Sequence, residues 1–121
     1  MALSLFEAVL PDQERVLGRD HPDVLVTRSN IASWTGECGE AQKSLLLFAA
    51  LLPDLERLLG RDHPDVLRTR SNIASWTGRC GEPQKALSLF QTLLPDLERV
   101  LGRDHPDTVN TREWIDYLSR R

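Results

Sequence analysis

Gly18-Arg19-Asp20-His21-Pro22-Asp23 returns as Gly60-Arg61-Asp62-His63-Pro64-Asp65 and again as Gly102-Arg103-Asp104-His105-Pro106-Asp107, 42 residues apart each time. The stretch Thr27-Arg28-Ser29-Asn30-Ile31-Ala32-Ser33-Trp34-Thr35-Gly36 recurs unchanged from Thr69 to Gly78. A fixed period of this size specifies a stacked array of one supersecondary unit. Each unit reads as two helices. His21 is the expected N-cap of the first, with Pro22 at the position where its missing N–H costs nothing and Asp23 near the positive helix end. This helix is expected over about 23–38, with Val24, Thr27, Ile31, Trp34 and Cys38 on one apolar stripe. Gly39 ends it in the left-handed conformation that glycine tolerates.

The second helix is expected over about 40–59. Leu45, Phe48, Leu51, Leu52, Leu55 and Leu58 keep an amphipathic period. Pro53, like its copies Pro11 and Pro95, lies inside that helix and removes a bond to the carbonyl four residues back. The uninterrupted apolar period favours a kink; a break after Leu52 is the alternative. Pro83 opens the corresponding helix one unit later. No segment alternates with period two, so strands and a propeller are excluded.

The chain has 121 residues, one domain's worth, with 40% hydrophobic and 27% charged residues. A net charge of −3 gives no support to a nucleic-acid or anionic-membrane partner. No apolar run approaches the ~20 residues of a membrane span, and the N-terminal stretch lacks the basic start of a signal peptide. Cys38 and Cys80 occupy the same place in successive units. Stacked helices lie roughly 8–10 Å apart, beyond the ~7 Å limit for a bridge. Two free thiols and a reducing, cytoplasmic location are therefore expected.

The motif Asn30-Ile31-Ala32-x-x-Thr35-x-x-x-Gly39, followed by Phe48, resembles a tetratricopeptide repeat. The longer period is similar to the 42-residue subtype of kinesin light chains and bacterial arrays, and Leu59-Gly60-Arg61-Asp62-His63-Pro64 resembles its closing turn. The pattern departs at Thr35 and Thr77, where the family has an aromatic; Trp34 and Trp76, one place earlier, are expected to supply that bulk. The resemblance implies an all-α solenoid of six helices in a right-handed superhelical stack, as a single domain over 1–121. In this frame 2–17 is an orphan second helix. Residues 23–60 and 65–102 are full repeats, and 107–120 is a C-terminal capping helix in which Asn72, Ala74 and Gly78 become Trp114, Asp116 and Arg120.

The same resemblance implies a protein–protein interaction scaffold that holds a peptide or helix in a groove lined by the first helices. The positions for contact are Val26, Ser29, Asn30, Ser33 and Glu37, then Arg68, Ser71, Asn72, Ser75 and Arg79, then Asn110, Glu113, Trp114 and Tyr117. Asn30 and Asn72 suit a peptide backbone or, equally, a brace to the neighbouring helix. The family's carboxylate clamp does not carry over. Ser29, Ser33, Asn110 and Trp114 occupy its positions and only Asn72 matches, so no preference for an acidic chaperone tail is expected. The alternative role is a self-assembling structural module, a homo-oligomer or domain swap through the uncapped N-terminal helix at Leu5 and Val9.

His-Pro-Asp also occurs in the chaperone J-domain, but three copies at the repeat period make it a helix-start turn. One histidine per unit gives no metal-ligand spacing. No nucleophile has a base at triad spacing, and phosphate-cradling loops are missing. Neither an enzyme nor a cofactor is expected. Cys38 and Cys80 read as small, buried-type residues. The cluster Asp12-x-Glu14-Arg15, with its copies at 54–57 and 96–99, reads as a solvated face with weak ion pairs.

Overall fold

A computed structural model describes residues 2–120. It contains six α-helices and, among the described residues, no strand: α1 (Ala2–Leu17), α2 (Pro22–Glu37), α3 (Ala41–Leu59), α4 (Pro64–Arg79), α5 (Pro83–Leu101) and α6 (Pro106–Ser119). The extensive contacts run between each helix and its neighbour in sequence. Such short-range packing makes the fold a solenoid.

The turns between units are built as the repeated hexapeptide dictates. The Nδ1 atoms of His21, His63 and His105 accept hydrogen bonds at 3.1, 3.0 and 3.0 Å from the backbone N–H groups of Asp23, Asp65 and Asp107. Each proline that follows is at the helix start. The glycine ahead of the turn has positive φ, 91° at Gly60 and 95° at Gly102, a region closed to most side chains. Helices α1, α3 and α5 run through Pro11, Pro53 and Pro95 without ending. The break considered at Leu52 does not occur. One missing hydrogen bond leaves the apolar stripe on both sides of Pro53 buried: Phe48, Leu51 and Leu55 are all in the core.

The core forms between units. Leu25 and Ala32 of α2, Phe48, Leu51 and Leu55 of α3, and Val66 and Trp76 of α4 make the largest cluster. The next comprises Ala74, Ala86, Phe90 and Leu118, and a third joins Leu67 to Leu93 and Leu97. Helix α1 contributes no fully buried residue. Thr35 and Thr77 are buried with their hydroxyls donating to the carbonyls of Ile31 and Ile73, the usual route by which a helical threonine satisfies itself.

Several expectations need correction. Trp34 is 44% exposed, whereas its copy Trp76 is 7% exposed. Trp76 lies on Gly36 of the preceding unit, where a Cβ would stand only 2.3 Å from the indole Cζ2. Trp34 has no such seat among the described residues. Only Trp76 supplies the bulk missing at the threonine positions. Cys38 is exposed and Cys80 half-buried; both follow the last helical turn, outside the packed stripe. Leu58 is also exposed.

The charged cluster is likewise more than a solvated face. Arg28 donates to Asp54 at 2.7 Å across α2 and α3, and Arg70 repeats this with Asp96 at 2.7 Å across α4 and α5. The two arginine side chains are less than one-fifth exposed. Arg57 then reaches back from Asp54 to Asp20, and Arg99 from Asp96 to Asp62. Sequence spacing shows partners three or four residues apart, but these bonds span 26 and 37 residues.

Candidate functional site

The first helices α2, α4 and α6 carry the polar positions, and two crevices lie between them. One crevice, about 510 Å³, lies between α2 and α4. It is lined by Val26, Ser29 and Asn30 on one side and Arg68 and Asn72 on the other, with Leu25, Leu55 and Leu59 at its base. The second, about 520 Å³, lies between α4 and α6. Ser75, Arg79, Asn110, Glu113, Trp114 and Tyr117 line it together with Gly78, Ala86 and Phe90. Both fall in the size range of small-ligand and side-chain pockets.

Three residues expected at the site do not line these crevices. Ser33 and Ser71 are half-buried beside them. Glu37 is exposed and faces Arg79, 3.7 Å away. Among the described residues Asn30 and Asn72 make no hydrogen bond to a neighbouring helix. Arg79 also lies over the Trp76 ring at 4.5 Å, a cation–π arrangement. Arg68 is held by Asp65 at 3.0 Å.

The aromatic lining of the second crevice is organised. Phe90 and Trp114 are parallel with centroids 6.1 Å apart, and Tyr117 meets Trp114 edge-on at 5.9 Å. Phe90 lies on the second helix of its unit, outside the first-helix positions that define the groove by resemblance, and was therefore missed. Its equivalence to Phe48 at the repeat offset was the signal that could have placed it.

The tetratricopeptide repeat family model matches residues 1–23, 24–65 and 66–107. The chain belongs to the tetratricopeptide repeat family. Its fold is that of a Podosopora anserina protein described as a kinesin light chain with nearly identical TPR-like repeats. The identity is 21% and the TM-score 0.84, over 96% of this chain and 55% of that one; a point variant of the same protein matches equally. BtubC (BKLC) from P. vanneervenii is similar at 14% identity and a TM-score of 0.85, over 98% of this chain and 47% of that one. This tetratricopeptide repeat chain thus spans about half the length of those structures. No curated protein sequence matches it significantly.

Tetratricopeptide repeats generally serve protein–protein interaction and are generally non-enzymatic. Among the described residues no three His, Cys, Asp or Glu side chains are grouped to hold a metal ion. Among the described residues no helix is long and apolar enough to cross a membrane.

Proposed function

We propose that this chain binds a peptide or helix of a protein partner along the face formed by α2, α4 and α6. The observation that carries the reading is the lining of the two inter-helix crevices. Polar side chains that can bond a peptide backbone (Ser29, Asn30, Asn72, Ser75, Asn110) alternate there with apolar floors. A bound segment would bury its apolar side chains in the crevices and offer its amides to Asn30 and Asn72, the division of labour found in peptide grooves. Arg79 and Glu37 pair with each other across the face, so they bias the partner's charge little.

Selection of peptides from a random display library on the immobilised chain tests this reading. Selected peptides should lose at least about tenfold in affinity on the Asn30→Ala/Asn72→Ala double variant, the loss expected for two peptide hydrogen bonds. The variant's helical circular dichroism should be unchanged. Unaltered affinity on that folded variant would remove the groove from consideration.

A further inference from the structure

Three positions on the first helices read Ser29, Asn30 and Ser33 in α2 and again Ser71, Asn72 and Ser75 in α4. In α6 the same positions are Glu113, Trp114 and Tyr117. A helix that only had to shed water-averse surface would gain charge here. Glu113 fits that purpose, but two large aromatics in place of Asn and Ser do not. All three side chains line the α4–α6 crevice, whose walls belong to α4, α5 and α6. Trp114 lies parallel to Phe90, and Tyr117 meets it at an interplanar angle of 83°, so the two rings form a corner. Trp114 remains 39% exposed and Tyr117 55%. Ring faces carry negative potential. Glu113 is one helical turn from Tyr117 on the same face, and its carboxylate has no hydrogen-bond or ion-pair partner among the described residues. Below the corner the floor is small and apolar, with Ala74, Gly78 and Ala86. Arg79 is the one cation lining the crevice. It is already engaged, over the Trp76 ring at 4.5 Å and beside Glu37 at 3.7 Å.

An unpaired carboxylate beside two ring faces suits a cation, and an apolar floor suits an alkyl stem. We propose that the α4–α6 crevice seats a basic side chain, lysine or arginine, of the protein partner. Its methylenes lie along Ala74, Gly78 and Ala86 while its charged head stays at the rim, as long basic side chains do on apolar surfaces. There it meets the Trp114 and Tyr117 rings as a cation–π contact and Glu113 as an ion pair. The proposal rests on the groove reading and adds the charge of the bound segment at one crevice.

Random peptides selected by display on the immobilised wild-type chain test it. The binders should share a lysine or arginine at one aligned position. Norleucine there keeps the stem and removes the charge. It should weaken binding about three- to thirtyfold, the loss of one exposed cation–π contact and one surface ion pair. The triple variant Glu113→Ser/Trp114→Asn/Tyr117→Ser gives α6 the residues that α4 carries. On it the norleucine exchange should cost less than about twofold. If that variant does not fold, Glu113→Lys at the exposed rim decides: the basic peptide should bind at least about threefold more weakly, and glutamate in place of its basic residue should restore binding. Binders that share no basic residue, or an acidic or aromatic one, overturn the proposal. So does a norleucine loss that is equal on the wild type and on a folded variant. Peptides that weaken on Asn30→Ala/Asn72→Ala but tolerate norleucine leave the groove reading standing and this one fallen. Peptides that need the basic residue and Glu113 but ignore Asn30 and Asn72 give the reverse. A library without binders overturns both.

Discussion

Gly36 and Gly78 are the same residue in the same ten-residue sequence, yet the structure gives them different neighbours. At Gly36 the Cβ of an alanine would collide with the Trp76 ring, which is anchored in the main core cluster. At Gly78 the same Cβ meets only ordinary contact. Alanine also favours helix over glycine by about 1 kcal/mol. Gly36→Ala should therefore destabilise by roughly 1–3 kcal/mol through overpacking, while Gly78→Ala should be neutral or stabilising by up to about 1 kcal/mol. Urea denaturation of the two variants checks this; equal effects would mean the indole is not seated as described. The histidine caps give a second case. His63→Asn keeps a side-chain acceptor for the Asp65 N–H, whereas His63→Ala orphans it. The alanine variant should lose about 1 kcal/mol more than the asparagine variant. Thr108, finally, stands where Val24 and Val66 stand in the earlier units, fully buried, and its hydroxyl has no partner among the described residues. Thr108→Val should raise Tm, because burying an unbonded hydroxyl costs about 1–3 kcal/mol.

Helices are joined by more than their apolar stripes. The Asp20–Arg57–Asp54–Arg28 chain of ion pairs ties α3 to α2 and to the turn before it, and Asp62–Arg99–Asp96–Arg70 repeats the tie for α5 and α4. The hydrogen bond from Arg28 is the largest influence holding Asp54 below the ordinary carboxylate range, and Arg70 does the same for Asp96. Arg57 and Arg99 lower Asp20 and Asp62. A carboxylate whose pKa is depressed in the folded state adds stability above its unfolded pKa, and loses it as pH falls through the folded value. Thermal stability should thus be flat from neutral pH down to about 5, then fall below about pH 4. The Asp54→Asn/Asp96→Asn variant should start lower at neutral pH and show a shallower acid decline. The wild type's dependence on salt should be small, since Arg28 and Arg70 are largely shielded. An acid profile identical to the wild type would show that these pairs do not couple the helices. The ladder also marks where sequence reading stopped. Caps, glycine stops and the period of α3 follow from local chemistry, so six helices were legible. Arg28 and Asp54 meet only because α2 packs on α3, and no local rule links them. Trp34 and Trp76 are indistinguishable in sequence, and their different burial is set by what lies beside each.

At the scale of the whole chain, stability is a sum of unit terms and nearest-neighbour interfaces. The interface between α2–α3 and α4 holds the largest cluster, closed by Trp76 on Gly36. At the interface to α6, Leu118 stands at the position of that indole and Trp114 stacks on Phe90. The repeat frame places Ser29, Asn30, Arg68, Asn72, Ser75, Arg79 and Asn110 on the first helices, and these side chains line the crevices, whereas Ser33, Glu37 and Ser71 do not. What the frame could not give was the crevice beside Leu118, because that depends on volume left unfilled rather than on any residue's polarity. The same logic predicts the result of lengthening the array. Inserting a second copy of residues 65–106 directly after Pro106 keeps every turn intact, because Asp107 follows Pro106 as Asp65 follows Pro64. The added unit would place its own tryptophan on Gly78, as Trp76 lies on Gly36. One strong interface is gained and none is lost. The lengthened chain should unfold at higher Tm, and its urea m-value should rise by about one-third, in step with the surface added. If Tm falls instead, or the added unit unfolds in a separate transition, then the indole at the glycine floor does not set the strength of coupling between units.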